Sequence, residues 1–338
     1  MPKYNPEEFQ NTEKLELSYP SSWKNALMKT PGPKTVREYS NLFLKGVCMG
    51  TADIVPGVSG GTIAFITGIY EDLLSAISSI NGKFFSHIFR LNFKKALSNF
   101  HLRFLFTLFL GITAAIISTA NVMHFLLNQY PIQIWSVFFG LILASILILI
   151  HKIKKRFSTL PTLIIGTTIS YLITNLIPLN TPENYWFIFF CGMIAICAMI
   201  LPGLSGSFVL LILGKYAYIT AALRNPLLIE NIEIISIFSS GCLIGIILFS
   251  KILRYGMVNW YDHTLALLTG IMIGSMSKVW PWKITLESQI IVGKEYVLRD
   301  VNIWPAINSE LFISLVLICM GFFTVLIIEK FSRLHSKN

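Results

Sequence analysis

The sequence predicts an all-α polytopic membrane protein with two inverted-topology repeats, each a re-entrant helical hairpin followed by three transmembrane helices. Three observations predict it. The 338 residues are 54% hydrophobic and 13% charged with a mean hydropathy of +0.65, far more apolar than a water-soluble domain. Six apolar segments approach the length of about 20 residues that a hydrocarbon core of about 30 Å requires of a helix. Two further apolar regions are interrupted by nearly the same motif, IVPGVSGGT at 54–62 and ILPGLSGS at 200–207.

In chain order, residues 1–38 are polar, contain five prolines and lack a signal-peptide h-region, so they read as a cytosolic tail. The first repeat covers 39–178. Within it the region 42–77 is cut by the first motif, and its arms are long enough to reach the bilayer midplane and return, which predicts a re-entrant hairpin. Spans follow at 104–127, 132–150 and 160–178. The second repeat, 187–330, has its hairpin at 187–219 and spans at 234–250, 263–280 and 309–328. An outer loop at 281–308 separates the last two spans, and IIVGKEYVL at 290–298 predicts a small β-hairpin turning at Gly293-Lys294.

Loop charge supports hairpins that return to their own side. With the N-terminus in the cytosol, 21 of the 27 Lys and Arg residues fall inside, whereas the outer loops 128–131 and 179–186 contain none. Making either hairpin a full span would invert everything after it and move several basic clusters outside. The same distribution explains the net charge of +10 without a nucleic-acid partner. The five cysteines form no C-x-x-C pair, and no histidine pair has metal-ligand spacing, so neither a disulfide framework nor a metal site is expected. Trp280, Trp282 and Trp304 read as an interfacial aromatic belt.

The two motifs belong to an internal repeat. Aligning 54–70 with 200–216 gives eight identities in 17 positions, including Pro56/Pro202, Gly57/Gly203, Ser59/Ser205, Gly60/Gly206 and Gly68/Gly214; farther on, Gly140 and Ser145 correspond to Gly270 and Ser275. Three spans after each hairpin is an odd number, so the second unit must sit upside down, as in secondary transporters with a midplane site at the repeat interface. The motif chemistry fits such a site. Pro56 and Pro202 end the descending arms, the glycines permit the reversal, and Ser59 and Ser205 can cap the returning helices. Two helix N-termini facing one another near midplane would attract an anion.

The stretch 46–77, GVCMGTADIVPGVSGGTIAFITGIYEDLLSAI, with MILPGLSGSFVLLILGKY at 199–216, closely resembles the polyprenyl-phosphate transporter family, long catalogued as a bacterial and archaeal domain of unknown function. The resemblance covers about 45–330. It implies a flippase in the bacterial cytoplasmic (inner) membrane, with both termini cytosolic, that returns the undecaprenyl phosphate headgroup from the outer to the cytosolic leaflet. No cofactor and no enzymatic activity are implied. The lipid tail buries about 0.8 kcal/mol per methylene and stays in the bilayer, so only the charged headgroup needs a path.

The candidate headgroup-binding residues are Pro56, Gly57, Ser59, Gly60, Gly61, Thr62, Pro202, Gly203, Ser205, Gly206 and Ser207, with Lys215 and Arg224 as helping cations. Asp53 lies three residues before Pro56 but is matched by Met199, so the turn that both copies share does not require the carboxylate. Asp53, and secondarily Glu71, are candidate coupling residues for a proton or sodium ion. An alternative role for Asp53 is to pair with Lys45 or cap backbone N–H groups in the turn. A small-anion channel or exchanger would use the same helix-terminus site. An enzyme acting on lipid phosphates lacks paired carboxylates or a His-Asp set to support it.

Overall fold

The computed structural model describes residues 22–55, 58–154, 156–176, 181–291 and 294–335. The short helix α1 (Trp23–Met28) starts at Ser22, whose hydroxyl accepts from the Asn25 amide, and it is held against the rest of the protein by a buried arginine. Arg103 donates from Nε to Leu27 O (3.0 Å), from one terminal nitrogen to Pro33 O (2.6 Å) and from the other to Thr30 O (2.5 Å). The part of the predicted tail from Ser22 onward is therefore packed structure, because a guanidinium can satisfy several carbonyls of an irregular segment at once.

The first hairpin begins earlier than residue 42. Helix α2 runs Val36–Ile54, capped by Thr35 Oγ1, while Glu38 Oε2 accepts from the Lys34 amide. After the motif turn come α3 (Gly60–Ile66) and α4 (Tyr70–Ser78), then the amphipathic α5 (Gly82–Phe89) and α6 (Phe93–Asn99). The long helices α7 (Leu102–Gln129), α8 (Pro131–Lys152) and α9 (Arg156–Thr174) complete the first half. The second half repeats the order with α10 (Tyr185–Ile200), α11 (Gly206–Ile212), α12 (Tyr216–Arg224), α13 (Ile229–Asn259), α14 (Tyr261–Val279) and α15 (Ser309–His335). Helix α9 ends at Thr174, short of the predicted 178, and residues 177–180 lie outside the described residues.

The returning arms are not single helices. Gly68 (φ 72°) and Gly214 (φ 66°) take the left-handed conformation, and the Ile69 and Lys215 amides reach back to Ala64 O and Leu210 O. Such a six-to-one bond terminates a helix. Each arm thus stops after seven residues and turns; in the second copy the chain bends by 114° between α11 and α12.

Among the described residues, five helices are both long and apolar enough to cross a bilayer alone: α7, α8, α9, α13 and α15. Helix α14, the sixth predicted span, has 19 residues but a more polar sequence, with Thr264, Thr269, Gly270, Gly274 and Ser275 among its eleven buried positions. Protein rather than lipid surrounds these groups, so the sequence need not be lipid-soluble. Small residues let the helices pack closely. Gly46 and Gly111 bring α2 onto α7, and Gly192 and Gly241 bring α10 onto α13. Between halves, Gly140 and Gly321 seat α8 against α15, while Gly270, Gly274 and Gly166 seat α14 against α9.

The segment after α14 forms the hairpin β1 (Lys283–Ile291) and β2 (Lys294–Asn302), longer than the predicted 290–298 and antiparallel. Its base is tied to α14: Asn302 Nδ2 donates to Ser277 O (2.9 Å), the Ile303 amide to Trp282 O (3.0 Å), and Trp280 Nε1 to Ile303 O (3.0 Å). Trp280 also meets Phe139, Trp282 and Trp304 edge-on, so the predicted tryptophan belt is an interlocked cluster.

Candidate functional site where the two motif turns meet

The buried core runs through both interruptions, joining Val55 and Ile63 of the first to Ile200 and Leu204 of the second, with Ile142 of α8 and Met272 of α14 against them. The turns touch directly. Ser59 Oγ lies 3.1 Å from Met199 O and 3.2 Å from Leu201 O, to which its single hydroxyl proton can be donated, and it accepts from the Gly61 amide at 3.1 Å. In return the Gly203 amide donates to Thr62 Oγ1 at 3.0 Å. Residues 140 to 142 positions apart in the chain are thus paired in the buried core.

Glycine makes this approach feasible. A Cβ on Gly61 would sit 2.6 Å from Ile200 O, and one on Gly203, whose φ is +88°, would meet Ser275 Oγ and the Met272 backbone. Pro56 and Gly57 lie outside the described residues, whereas Pro202, Gly203 and Gly206 are buried.

The two turns differ in how their amides are satisfied. In the first, Asp53 Oδ1 accepts from the Gly60 amide at 2.6 Å, Ser59 Oγ caps Gly61 and Ser59 O accepts from Thr62. Asp53 therefore caps the turn, one of the two structural roles open to it; Lys45 instead donates to Thr67 O at 2.9 Å, at the far end of α3. In the second, Ser205 makes no side-chain cap and its hydroxyl lies 2.8 Å from that of Ser207, which is exposed. The equivalence expected of the serines does not extend to their hydrogen bonds, because Met199 cannot accept where Asp53 does and Ser207 offers a hydroxyl where Gly61 has none.

The helping cations lie elsewhere. Lys215 is buried, but its ammonium donates to Thr181 O at 2.8 Å, stands 3.9 Å from Glu183 and is flanked by Phe187 and Tyr218. It anchors the segment before α10 to the start of α12. Arg224 is exposed at the end of α12, and Glu71 is exposed in the first turn of α4 beside Asp72. Lys45 and Asp72 line a cleft of about 300 Å³ with His101 and Asn41, toward the N-terminal segment and without the motif residues.

Lys278, which sequence reasoning passed over, lies nearer the motif. It follows Ser275, the neighbour of Gly203, by one helical turn, and its ammonium sits 4.9 Å from the ring centroid of Phe208 on α11. The available signal was local charge: the predicted outer loop and its helix end contain Lys278, Lys283, Lys294 and Arg299, whereas the outer loops 128–131 and 179–186 contain no basic residue and the outer segment 220–233 contains Arg224 alone.

Comparison with known proteins agrees with the doubled motif. The model of the undecaprenyl phosphate translocase-like family matches residues 49–295. A protein of Vibrio cholerae serotype O1 named polyprenyl-phosphate transporter is 41% identical over 304 residues, which span 87% of this chain and 97% of that one. One of the same name from Staphylococcus aureus is 34% identical over 254 residues, 70% of this chain and 85% of its own. No solved structure matches. With matches that contain both turns and reach nearly the full length of one relative, the chain belongs to the undecaprenyl phosphate translocase-like family.

Proposed function

We propose that this protein is a multi-pass transporter in the bacterial cytoplasmic membrane that carries the phosphate headgroup of undecaprenyl or another polyprenyl phosphate from the outer to the cytosolic leaflet. The observation that carries the reading is the direct bracing of the two motif turns, Ser59 on the carbonyls of 199 and 201 and Gly203 on Thr62, within a chain so similar to proteins named polyprenyl-phosphate transporter. A charged headgroup cannot cross hydrocarbon unaided, and polar backbone at depth is stable only where protein or a wet cavity surrounds it.

The two halves are inverted repeats on this reading, with both termini cytosolic. Support comes from exchanged packing: α8 of the first half lies on α15 of the second, and its counterpart α14 lies on α9, using corresponding glycines Gly140 and Gly270. An internal two-fold relation generates such reciprocal pairs.

Transport is coupled to a proton or sodium ion through Asp53. Its carboxylate holds the Gly60 amide at 2.6 Å, so it occupies a donor that an incoming phosphate oxygen would use. A proton or cation on Asp53 weakens that bond, frees the amide and removes like-charge repulsion in one step. Glu71, at the other end of the hairpin's return, is the second carboxylate in this path. The test is leaflet-specific translocation of labelled polyprenyl phosphate in proteoliposomes containing only this protein, with and without imposed proton and sodium gradients. Wild type should respond to one gradient, while Asp53→Asn, matched for folded protein, should still bind lipid and lose the response. No translocation by wild type removes the transport reading; an Asp53→Asn response equal to wild type removes the coupling role alone.

A further inference from the structure

Two lysines share one carboxylate at the base of the β-hairpin. Lys278 Nζ is 2.8 Å from Asp300 Oδ1 and Lys283 Nζ is 3.1 Å from Asp300 Oδ2, with all three side chains less than one-fifth exposed (17%, 13% and 18%). One positive charge is therefore left over where solvent is largely excluded, and such a charge favours an anion. The geometry decides which lysine carries it. Lys283 is fully engaged: it faces Asp300, donates to Lys278 O and lies 5.0 Å from the Trp135 ring centroid. Lys278 faces only Asp300 and the Phe208 ring, which leaves one of its three N–H groups without a protein acceptor among the described residues.

The position of Lys278 is equally particular. Its neighbour one turn earlier, Ser275, packs on Gly203 of the second motif turn, and Phe208 lies three residues beyond Ser205. That turn is the one whose serine does not cap and whose Ser207 is exposed. Lys278 thus stands between the hairpin and the less saturated of the two turns, fixed there by Trp280, Asn302 and Asp300.

We infer that Lys278 is an anion-binding residue that receives a phosphoryl dianion on the hairpin side of the second motif turn, with Asp300 as the internal ligand that the phosphate displaces. Phosphate competes well for an ammonium held by a shared carboxylate, since it carries up to two charges and three acceptor oxygens. Lys283 remains on Asp300 during the exchange and keeps the released carboxylate neutralised. A lipid phosphate headgroup and free phosphate offer the same chemistry at this position. The inference rests on the transport reading for the lipid source.

The two roles of the cluster, holding the hairpin and holding an anion, predict opposite signs for one substitution. Binding of a short-chain prenyl monophosphate to the full-length protein in nanodiscs, with inorganic phosphate and the unphosphorylated prenol as separate probes, measures both. Lys278→Gln should weaken prenyl monophosphate binding at least tenfold and leave prenol unchanged. Asp300→Asn removes the competitor and should tighten binding several-fold, even where limited proteolysis shows a looser hairpin. Tenfold preference for the prenyl monophosphate over inorganic phosphate assigns the lipid headgroup, and equal affinities that both depend on Lys278 assign free phosphate. Lys278→Gln within twofold of wild type, or Asp300→Asn that weakens binding, overturns the inference while leaving the transport reading standing. Failure of wild type to bind any phosphate probe overturns both.

Discussion

Ser59→Ala and Ser205→Ala are the same substitution at matched positions of a repeat, yet they should differ in cost. Ser59 is 1% exposed, and its hydroxyl caps the Gly61 amide while bracing the carbonyls of Met199 and Leu201. Loss of a serine cap costs about 1 kcal/mol. Leaving a buried group unpaired adds about 1–3 kcal/mol. Together these give about 2–4 kcal/mol for Ser59→Ala. Ser205 loses only its contact with Ser207, whose exposed hydroxyl finds another partner, so about 0.5–1 kcal/mol is expected. Thermal unfolding in detergent, followed with a thiol-reactive dye in a background where Cys48, Cys197, Cys242 and Cys319 are replaced by alanine so that only the buried Cys191 reports, gives the two midpoints. Ser59→Ala should unfold clearly below wild type and Ser205→Ala close to it. Equal midpoints for the two variants would refute the asymmetry between the turns.

Single cysteines in a Cys-free background at Gly82 and Lys94 should label only from the cytosol, and those at Asn225 and Glu287 only from outside; outside labelling at 82 or 94 would make the first hairpin a full span. Burial pushes the Lys283 ammonium down to about 8, against the raising effect of Asp300 and with a further lowering by Lys278. As pH rises through about 8 the neutral amine stops sharing Asp300, which then holds Lys278 alone, so prenyl monophosphate binding should weaken above that pH and the step should vanish in Lys283→Arg, measured by titration at successive pH values.

The sequence made the helices legible because apolar length is a direct consequence of the bilayer, and it made the two turns legible because they repeat. It was less informative where meaning depends on a neighbour in space. Gly68 and Gly214 are among the matched positions, and a left-handed glycine after a short apolar run is a helix stop; the match between repeats alone does not reveal the bend in each returning arm. Helix α14 looked like any other span, since its Thr, Ser and Gly residues dilute its hydropathy only slightly to the eye while marking its burial among protein groups. Capping of the turn was one of the two structural roles legible for Asp53, but the bond from the Gly60 amide crosses seven residues and a turn, so no periodicity announces which amide it holds. Arg103 is one of the basic residues counted on the cytosolic side, with nothing in the sequence to single it out, yet its donors organise the segment from Leu27 to Pro33.

A duplicated anion site with two identical halves would hold its ligand equally from either side and give transport no preferred direction beyond the substrate's own gradient. This pair of turns is not identical. A carboxylate occupies the first, where Asp53 takes the Gly60 amide, while the corresponding Met199 side chain instead packs beside Gly206 in the second, whose Ser207 is exposed and whose neighbour Lys278 brings surplus positive charge within reach. On the proposed transport reading, an anion would meet attraction at the second turn and a competitor at the first. On the proposed coupling, passage from one to the other requires Asp53 to release its amide, which is the step an ion would drive. The matched motifs supply the common framework, and three departures from it, Asp53 against Met199, Gly61 against Ser207 and the hairpin-held Lys278, make the two turns unequal, as a directed path between them would need.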